Sequence, residues 1–520
     1  MFALLELSQY FAGILLPVIL VIAVSSVWYL AYHIFFHPLA KYPGPWIAKL
    51  TNGYAAYHAW IGDVHLDMHK CHQKYGPYVR YAPDRLLFNT AGGLQDIYGH
   101  RTKVQKSKVY NAIVHRAPNT LTLLDRKQHS RRRRVISQAF SDSHIASVEP
   151  AILKQIWKFV DIISNHTGGS PEKEGWSHSI NISKWCDYLT FDIMASVVFS
   201  GEYNMLGNAD NRYVLDSIVA SNVRMGVLLQ APEMASWKIH KRLFPAAIAA
   251  RDKFIPFISR MVGDRLKLEK SSPDKIHNDV FSFLAKAKDP ETGEGLTLSE
   301  LGAESTTLIV AGSDTTSTTI AGTFYYFTRY PSFYKQARDE VRAAFGSAEE
   351  IRLGPQLNQC VFLRACINET LRISPSVGSA LWREVQAGGE TIDGHFFPPG
   401  VDVGVGIYSI HHNDLYHSNP LVYSPGRWLQ STTQCEENSK GSAQDAFCPF
   451  SKGPRSCVGK GVAMVELMLT FACVLWALDL KSSAGETDGT SVPEFRLRDH
   501  VTSAKDGPLV QFRSRVTSDP

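Results

Sequence analysis

The chain has 520 residues, 44% of them hydrophobic and 20% charged, with a net charge of +5. That balance describes a folded chain rather than a disordered one. So mild a basic excess argues against nucleic acid and slightly favours an anionic membrane surface or an acidic partner. Eight cysteines stand at 71, 186, 360, 366, 435, 448, 457 and 473, and no pair has C-x-x-C spacing. This argues against a zinc knuckle, a thioredoxin-type site and a secreted disulfide framework, and puts the main body in a reducing compartment.

From Leu7 to Ala40 there is no Lys, Arg, Asp or Glu. The run Phe11–Tyr32 predicts a helix that crosses a bilayer core, which needs about 20 apolar residues. Trp28, Tyr29 and Tyr32 fall where an interfacial aromatic belt belongs. A cleaved signal peptide needs a basic leading segment and a shorter apolar core. Glu6 is the only charge before Phe11, so the reading is a retained single-pass anchor. Lys41 and Lys49 follow the span and Glu6 precedes it, which orients the body to the cytosol. The sequons at Asn165, Asn181 and Asn368 then go unused. His37-Pro38-Leu39-Ala40-Lys41-Tyr42-Pro43-Gly44-Pro45 predicts a stiff, non-helical linker. The expected division is an anchor at 1–36, a Pro-rich linker at 37–48 and one body at 49–520.

Short strands are predicted at Tyr78–Tyr81 and Leu86–Phe88. From Asp125 to about Tyr330 the pattern is mostly helical, with breaks at His166–Ser170 and Asp289–Gly295. The longest helix opens at Thr297-Leu298-Ser299-Glu300, a capping-box pattern, and is stopped by Pro331. At roughly 1.5 Å per residue it crosses a whole domain. Leu308-Ile309-Val310-Ala311 suits burial, whereas Ser313-Asp314-Thr315-Thr316 is costly there without partners or a task. Gly312 predicts a weakened turn with room beside the backbone. The fold class is mainly α with minor β.

The densest chemical signal is Phe450-Ser451-Lys452-Gly453-Pro454-Arg455-Ser456-Cys457-Val458-Gly459, followed by an apolar helical run from Val462. Cys457 thus precedes a helix N-terminus, where free N–H groups and the helix dipole stabilise a thiolate. Arg455 can form a charge-assisted pair with a ligand carboxylate. A lone cysteine is more often an inert core residue. The ten-residue context changes that reading, because it resembles the haem-binding signature of the cytochrome P-450 family, Phe-x-x-Gly-x-Arg-x-Cys-x-Gly, at every fixed position.

Other segments extend the resemblance. Glu369-Thr370-Leu371-Arg372 places an acid and a base on one helix face and is similar to the family's Glu-x-x-Arg helix. Pro425-Gly426-Arg427-Trp428 resembles the segment whose arginine closes that network, so Arg427 is the expected third member, although Gly426 stands where Glu is more common. Ala311-Gly312-Ser313-Asp314-Thr315 resembles the oxygen-activation motif. It assigns Thr315 to steadying bound dioxygen and Asp314 to supplying protons. His129 and Arg133 occupy the spacing of a Trp-x-x-x-Arg pair on the haem propionates, with histidine replacing tryptophan. Arg383, in Trp382-Arg383-Glu384-Val385, resembles another propionate arginine. The other arginines of the Arg131–Arg134 run are expected to face an acidic redox partner. His411-His412 and His417 are read as non-ligands in a polar loop. Lys74-Tyr75-Gly76-Pro77, Leu189-Thr190-Phe191-Asp192 and Asp506-Gly507-Pro508 resemble fungal members of secondary metabolism.

The resemblance implies a P-450 fold behind one membrane helix, in the endoplasmic reticulum membrane. It implies haem b on Cys457 with Phe450, Arg455 and Gly459 around it, dioxygen, a small apolar substrate and membrane lipid. No dinucleotide fingerprint is present, so electrons are expected from an NADPH-dependent flavoprotein reductase. A pocket wall is expected from 104–123, Met225–Leu229, Ile309–Ser313, Ser376–Ala380 and 500–503, with Gly378 and Ser379 leaving headroom. Two rivals are weighed. A haem-thiolate isomerase or dehydratase needs no reductase and often lacks the acid–threonine pair. A non-catalytic haem- or lipid-binding membrane protein has no use for Asp314 and Thr315.

Overall fold

Helix α1 (Phe2–Ala31) continues into a π turn at Tyr32–Phe36. Over Leu15–Phe36 the mean hydropathy is 2.1, and large apolar side chains such as Leu16, Val21 and Trp28 are exposed. An apolar rod of this length is compatible with a membrane anchor. Its end is fastened to the body. Tyr29 donates its hydroxyl to the Leu50 carbonyl at 2.8 Å. The fully buried Arg80 donates Nη1 to the His33 carbonyl at 2.7 Å and Nη2 to the Pro83 carbonyl at 2.8 Å. The Pro-rich stretch is non-helical and packed. Leu39 and Tyr42 are buried, Tyr42 stacks on Phe397, and the Arg80 N–H bonds the Pro43 carbonyl.

The computed structural model describes residues 2–114, 117–165, 175–271, 278–429, 443–483 and 494–515. The break expected at His166–Ser170 lies outside them, as does Cys435. After α2 (Gly53–Ile61) and α3 (Val64–Tyr75), β1 (Tyr78–Ala82) and β2 (Arg85–Phe88) form an antiparallel hairpin. Strands β3 (Gln105–Lys106), β4 (Arg383–Glu384) and β5 (Asp402–Val405) complete a five-stranded sheet ordered β1-β2-β5-β4-β3. The β2–β5 pair is parallel and every residue of both strands is buried, as expected of strands covered on both faces.

The rest is mostly helical: α4 (Arg126–Gln138), α5 (Ile182–Phe199), α6 (Tyr213–Gln230), α7 (Pro245–Ser271), α8 (Leu298–Arg329), α9 (Val361–Ile373), α10 (Ile407–His411) and α11 (Lys460–Ala477). The largest core cluster joins α5, α8, α9 and α11 through residues such as Phe191, Phe324, Leu371 and Phe471. Helix α8 starts with the predicted capping box between Thr297 and Glu300 and ends before Pro331. Gly312 does not distort it. The helix is regular α throughout, and the missing side chain lets α5 approach. A Cβ on Gly312 would lie 2.6 Å from the Met194 terminal methyl.

Candidate active site

Gly459 caps α11, so Cys457 lies just ahead of its free N–H groups. The Cys457 N–H bonds the Phe450 carbonyl at 2.9 Å and the Ser456 N–H bonds that of Gly453 at 3.0 Å, which folds the loop back on itself. Gly453 has φ +67°, and any Cβ there would collide with the Tyr98 carbonyl oxygen, so only glycine fits. Half-buried Phe450 packs against the main core. Of seven free cysteines among the described residues, six are buried and Cys457 is exposed. Protein nonetheless surrounds it closely enough for burial to push its thiol above the usual range. Hydrogen bonds from Gly459 and Lys460 and the charge of Arg133 pull the other way, towards thiolate.

Ala311 is exposed midway along α8, between buried Ile309 and Ser313. Thr315 lies four residues on, hence on the same helix face, and its hydroxyl donates to the Ala311 carbonyl at 2.7 Å. The Asp314 carboxylate accepts from Asn222 at 2.9 Å and from the Thr502 hydroxyl. Burial raises its pKa, and nearby Lys505 opposes that rise. Lys505 in turn reaches Asp187 at 2.6 Å and Ser317 at 2.8 Å.

A cavity of about 240 Å³ is lined by Lys106, Arg126, His129, Arg383, Arg455 and neighbours, none of them acidic. Arg455 spends its donors on the Leu123 and Leu124 carbonyls, at 2.6 and 2.8 Å, and Arg383 on those of Leu381 and Trp382. Burial and mutual repulsion lower Arg455 to about 10 and His129 to about 3. So much like charge without a carboxylate fits a ligand that brings its own. Sequence reasoning missed Lys106; a lysine in a two-residue strand carries no local signal. Arg133 is not in this lining. Its Nη1 donates to the Ser456 carbonyl at 2.6 Å and braces the cysteine loop.

Glu369, Arg372 and Arg427 meet in one buried network. Arg372 grips both Glu369 oxygens at 3.0 and 2.8 Å, and Arg427 Nε reaches Oε1 at 3.0 Å. The Ser424 N–H and Trp428 Nε1 saturate the carboxylate at 3.0 and 2.9 Å. Two expectations are corrected nearby. His411 closes α10 and does not lie in a loop, and His412 and His417, in the turn that follows, are buried like it. Arg131, Arg132 and Arg134 are not spare surface charges either. They pair with Glu294, Glu300, Glu304, Asp289 and Glu291 within the chain.

The expected pocket-wall segments converge in part. The Ser503 N–H bonds the Ser376 carbonyl at 2.8 Å, and Gly226 of α6 packs tightly on the His500 carbonyl. Residues 115–116 of the 104–123 wall are outside the described set. Gly378 gives no headroom. A Cβ there would lie 2.8 Å from the His65 Cβ and 3.1 Å from Asp499 Oδ2, because the position is already filled by α3 and residue 499.

Comparison with known proteins agrees with this geometry. The family described as Cytochrome P-450 matches residues 43–500. The chain is 46% identical over 488 residues to cytochrome P-450 monooxygenase poxM of Penicillium oxalicum, covering 94% of this chain and 92% of that one. It is 45% identical over 496 residues to cytochrome P-450 monooxygenase AKT7 of Alternaria alternata, covering 93% and 94%. It is 44% identical over 487 residues to cytochrome P-450 monooxygenase atnE of Emericella nidulans, covering 93% of each.

Proposed function

Because the chain belongs to the cytochrome P-450 family, we propose that it is a monooxygenase that holds haem b on Cys457 and oxidises a small apolar molecule, in the making of a fungal polyketide, terpenoid or alkaloid. The observation that carries the reading is the one exposed cysteine among the described residues, set just ahead of α11. When bound, thiolate-ligated haem supplies the activation of dioxygen.

The protein's own contributions follow from its residues. Cys457 offers the sulfur, held by the Phe450 carbonyl bond and by Arg133 on Ser456. Arg455, Arg383 and His129 present positive or donor groups to the propionates. Thr315 presents Oγ1 on the Ala311 face, and the Asp314 carboxyl is held by Asn222 and Thr502 within the field of Lys505, which itself bonds Asp187. An acid and a hydroxyl in series are suited to moving protons. That favours oxygen activation over a peroxide-rearranging haem enzyme.

Members of the family draw electrons from a redox partner. In our reading it is an NADPH-dependent flavoprotein reductase, with α1 spanning the endoplasmic reticulum membrane and the body in the cytosol. The test is spectroscopic and then chemical. Reduced, carbon-monoxide-bound protein should show the thiolate-type absorption shift, and Cys457→Ala should abolish it. Product formation should require NADPH, reductase and dioxygen together. Turnover without reductase would instead support the isomerase or dehydratase reading.

A further inference from the structure

We propose that Arg224 binds a carboxylate of the substrate, which makes the molecule oxidised an apolar acid and not a neutral hydrocarbon. The inference rests on the monooxygenase reading above and narrows it to a substrate class.

Arg224 stands on α6 with 5% of its surface exposed. Its Nε is sealed from solvent without an acceptor, and among the described residues no carboxylate, carbonyl or ring meets the guanidinium. The other arginines buried this far are satisfied by the fold. Arg80, Arg85, Arg132, Arg265, Arg372 and Arg383 each donate to at least two groups. A guanidinium carries five N–H donors and keeps its charge, so burying one bare is expensive. Burial, and then the like charge of Arg251 on α7, lower its pKa. Folding alone gains nothing from an arginine here, where a methionine would pack at no electrostatic cost. The surroundings point to the substrate space. Leu228, one turn on along the same face, shares a core cluster with Val109, Tyr110 and Ile113 of the expected 104–123 wall. Asn222, two residues earlier, holds Asp314 of α8 at 2.9 Å, so Arg224 lies only about 3 Å further along the helix axis than that contact. A planar carboxylate matches the guanidinium fork with two parallel hydrogen bonds and cancels its charge. A lipid headgroup is the poorer fit, because its phosphate stays in water while this guanidinium is enclosed. The more exposed Arg251 already pairs with Asp252 at 2.7 Å.

The test uses holoenzyme in detergent at pH 7.5, with octanoic, decanoic and dodecanoic acids and their primary amides as probes. Each amide keeps the shape of its acid and loses the charge. Calorimetric titration gives the affinities without reference to the haem spectrum. At least one acid should bind wild type ~10-fold tighter than its amide, the scale of one hydrogen bond to a charged group. Arg224→Met should erase that preference by weakening the acid and sparing the amide. Without ligand it should unfold at a higher temperature than wild type, since it removes an unpaired buried charge. Acids that bind wild type no better than amides would overturn the proposal, as would a preference that survives in Arg224→Met. Equal loss of acid and amide in that variant marks a packing role and overturns it too. Arg224→Gln repeats the comparison if the methionine variant does not fold. Binding to phosphatidate vesicles separates the other source of an anion. Weaker vesicle binding by Arg224→Met with acid affinity unchanged would assign the residue to a headgroup and overturn the proposal. The carbon-monoxide spectrum of each protein reports Cys457 ligation separately, so a failure there overturns the haem-thiolate reading and not the acid site.

Discussion

His411 Nε2 accepts the backbone N–H of Cys448 at 2.9 Å. That nitrogen is therefore unprotonated, so Nδ1 carries the proton and donates it to the Arg372 carbonyl at 3.0 Å. Arg372 returns a bond from Nη1 to the His411 carbonyl at 2.9 Å. One neutral tautomer thus couples the Glu369 network to the segment that opens the cysteine loop.

His411→Ala should cost about 2–4 kcal/mol, from two lost buried hydrogen bonds and a cavity. Thermal unfolding of the holoenzyme checks this, and haem retention should fall with it. A variant as stable as wild type would remove the coupling.

Stability should also decline on the acid side. Burial holds His411 well below its usual range, His417 near about 3, and His65 and His72 near about 4. Folded, they stay neutral; unfolded, each takes up a proton near pH 6.5. Their contribution is complete above that pH and is lost as pH falls below it, by up to ~1.4 kcal/mol per unit for each histidine. Urea midpoints at pH 7.5 and 5.5 compare the two regimes; equal midpoints would contradict the burial of these rings.

Thr315→Ala should leave the fold intact, since its hydroxyl makes only an intrahelical bond to Ala311 and alanine is the better helix former. Product formation should drop ~10²-fold, the lower end of what a positioned proton-transfer group contributes, while NADPH oxidation continues. The ratio of product to NADPH consumed measures it. An unchanged ratio would sink the assignment.

Gly378→Ala should destabilise by roughly 1–3 kcal/mol, because the new methyl meets His65 and Asp499 in a filled site. Gly378→Phe should compromise folding and haem loading, not merely shield the substrate space. Purifying the Phe variant with full haem content and normal unfolding temperature would restore the headroom reading.

Glu466 is buried on α11 with Oε1 unpartnered, and burial alone raises its pKa well above 4.5. Burial thus favours its neutral form in the fold. A raised acid contributes fully below its unfolded pKa and loses ground as pH rises, by about 1.4 kcal/mol per unit up to its folded value. Glu466→Gln, which cannot ionise, should therefore gain on wild type as pH increases from 6 to 8. Parallel pH profiles for the two proteins would show that the carboxyl has found a partner.

Much of this was legible in the chain. The capping box at Thr297, the Pro331 stop and the hairpin strands carry local signals, and the Cys457 loop and the Glu369 helix carry spaced ones. Packing partners do not. Gly312 and Gly378 read as free space because a glycine has no side chain, yet Met194 and His65 supply the missing volume. Arg132 and Arg134 read as charges awaiting an acidic partner protein, since their own partners Glu304 and Asp289 lie more than a hundred residues away. Lys106 opposite Arg383 is a consequence of strand register, which no window along the sequence contains.

Arg80 has a mechanical consequence. By holding the His33 carbonyl and the Pro83 carbonyl with one guanidinium, it turns the end of α1 into a strut welded to the sheet in place of a slack mooring line. If α1 crosses a bilayer, any tilt of that helix is handed on to the catalytic body as rotation. The height and heading at which Cys457 is presented to an incoming electron donor are then set by lipid thickness as much as by the donor.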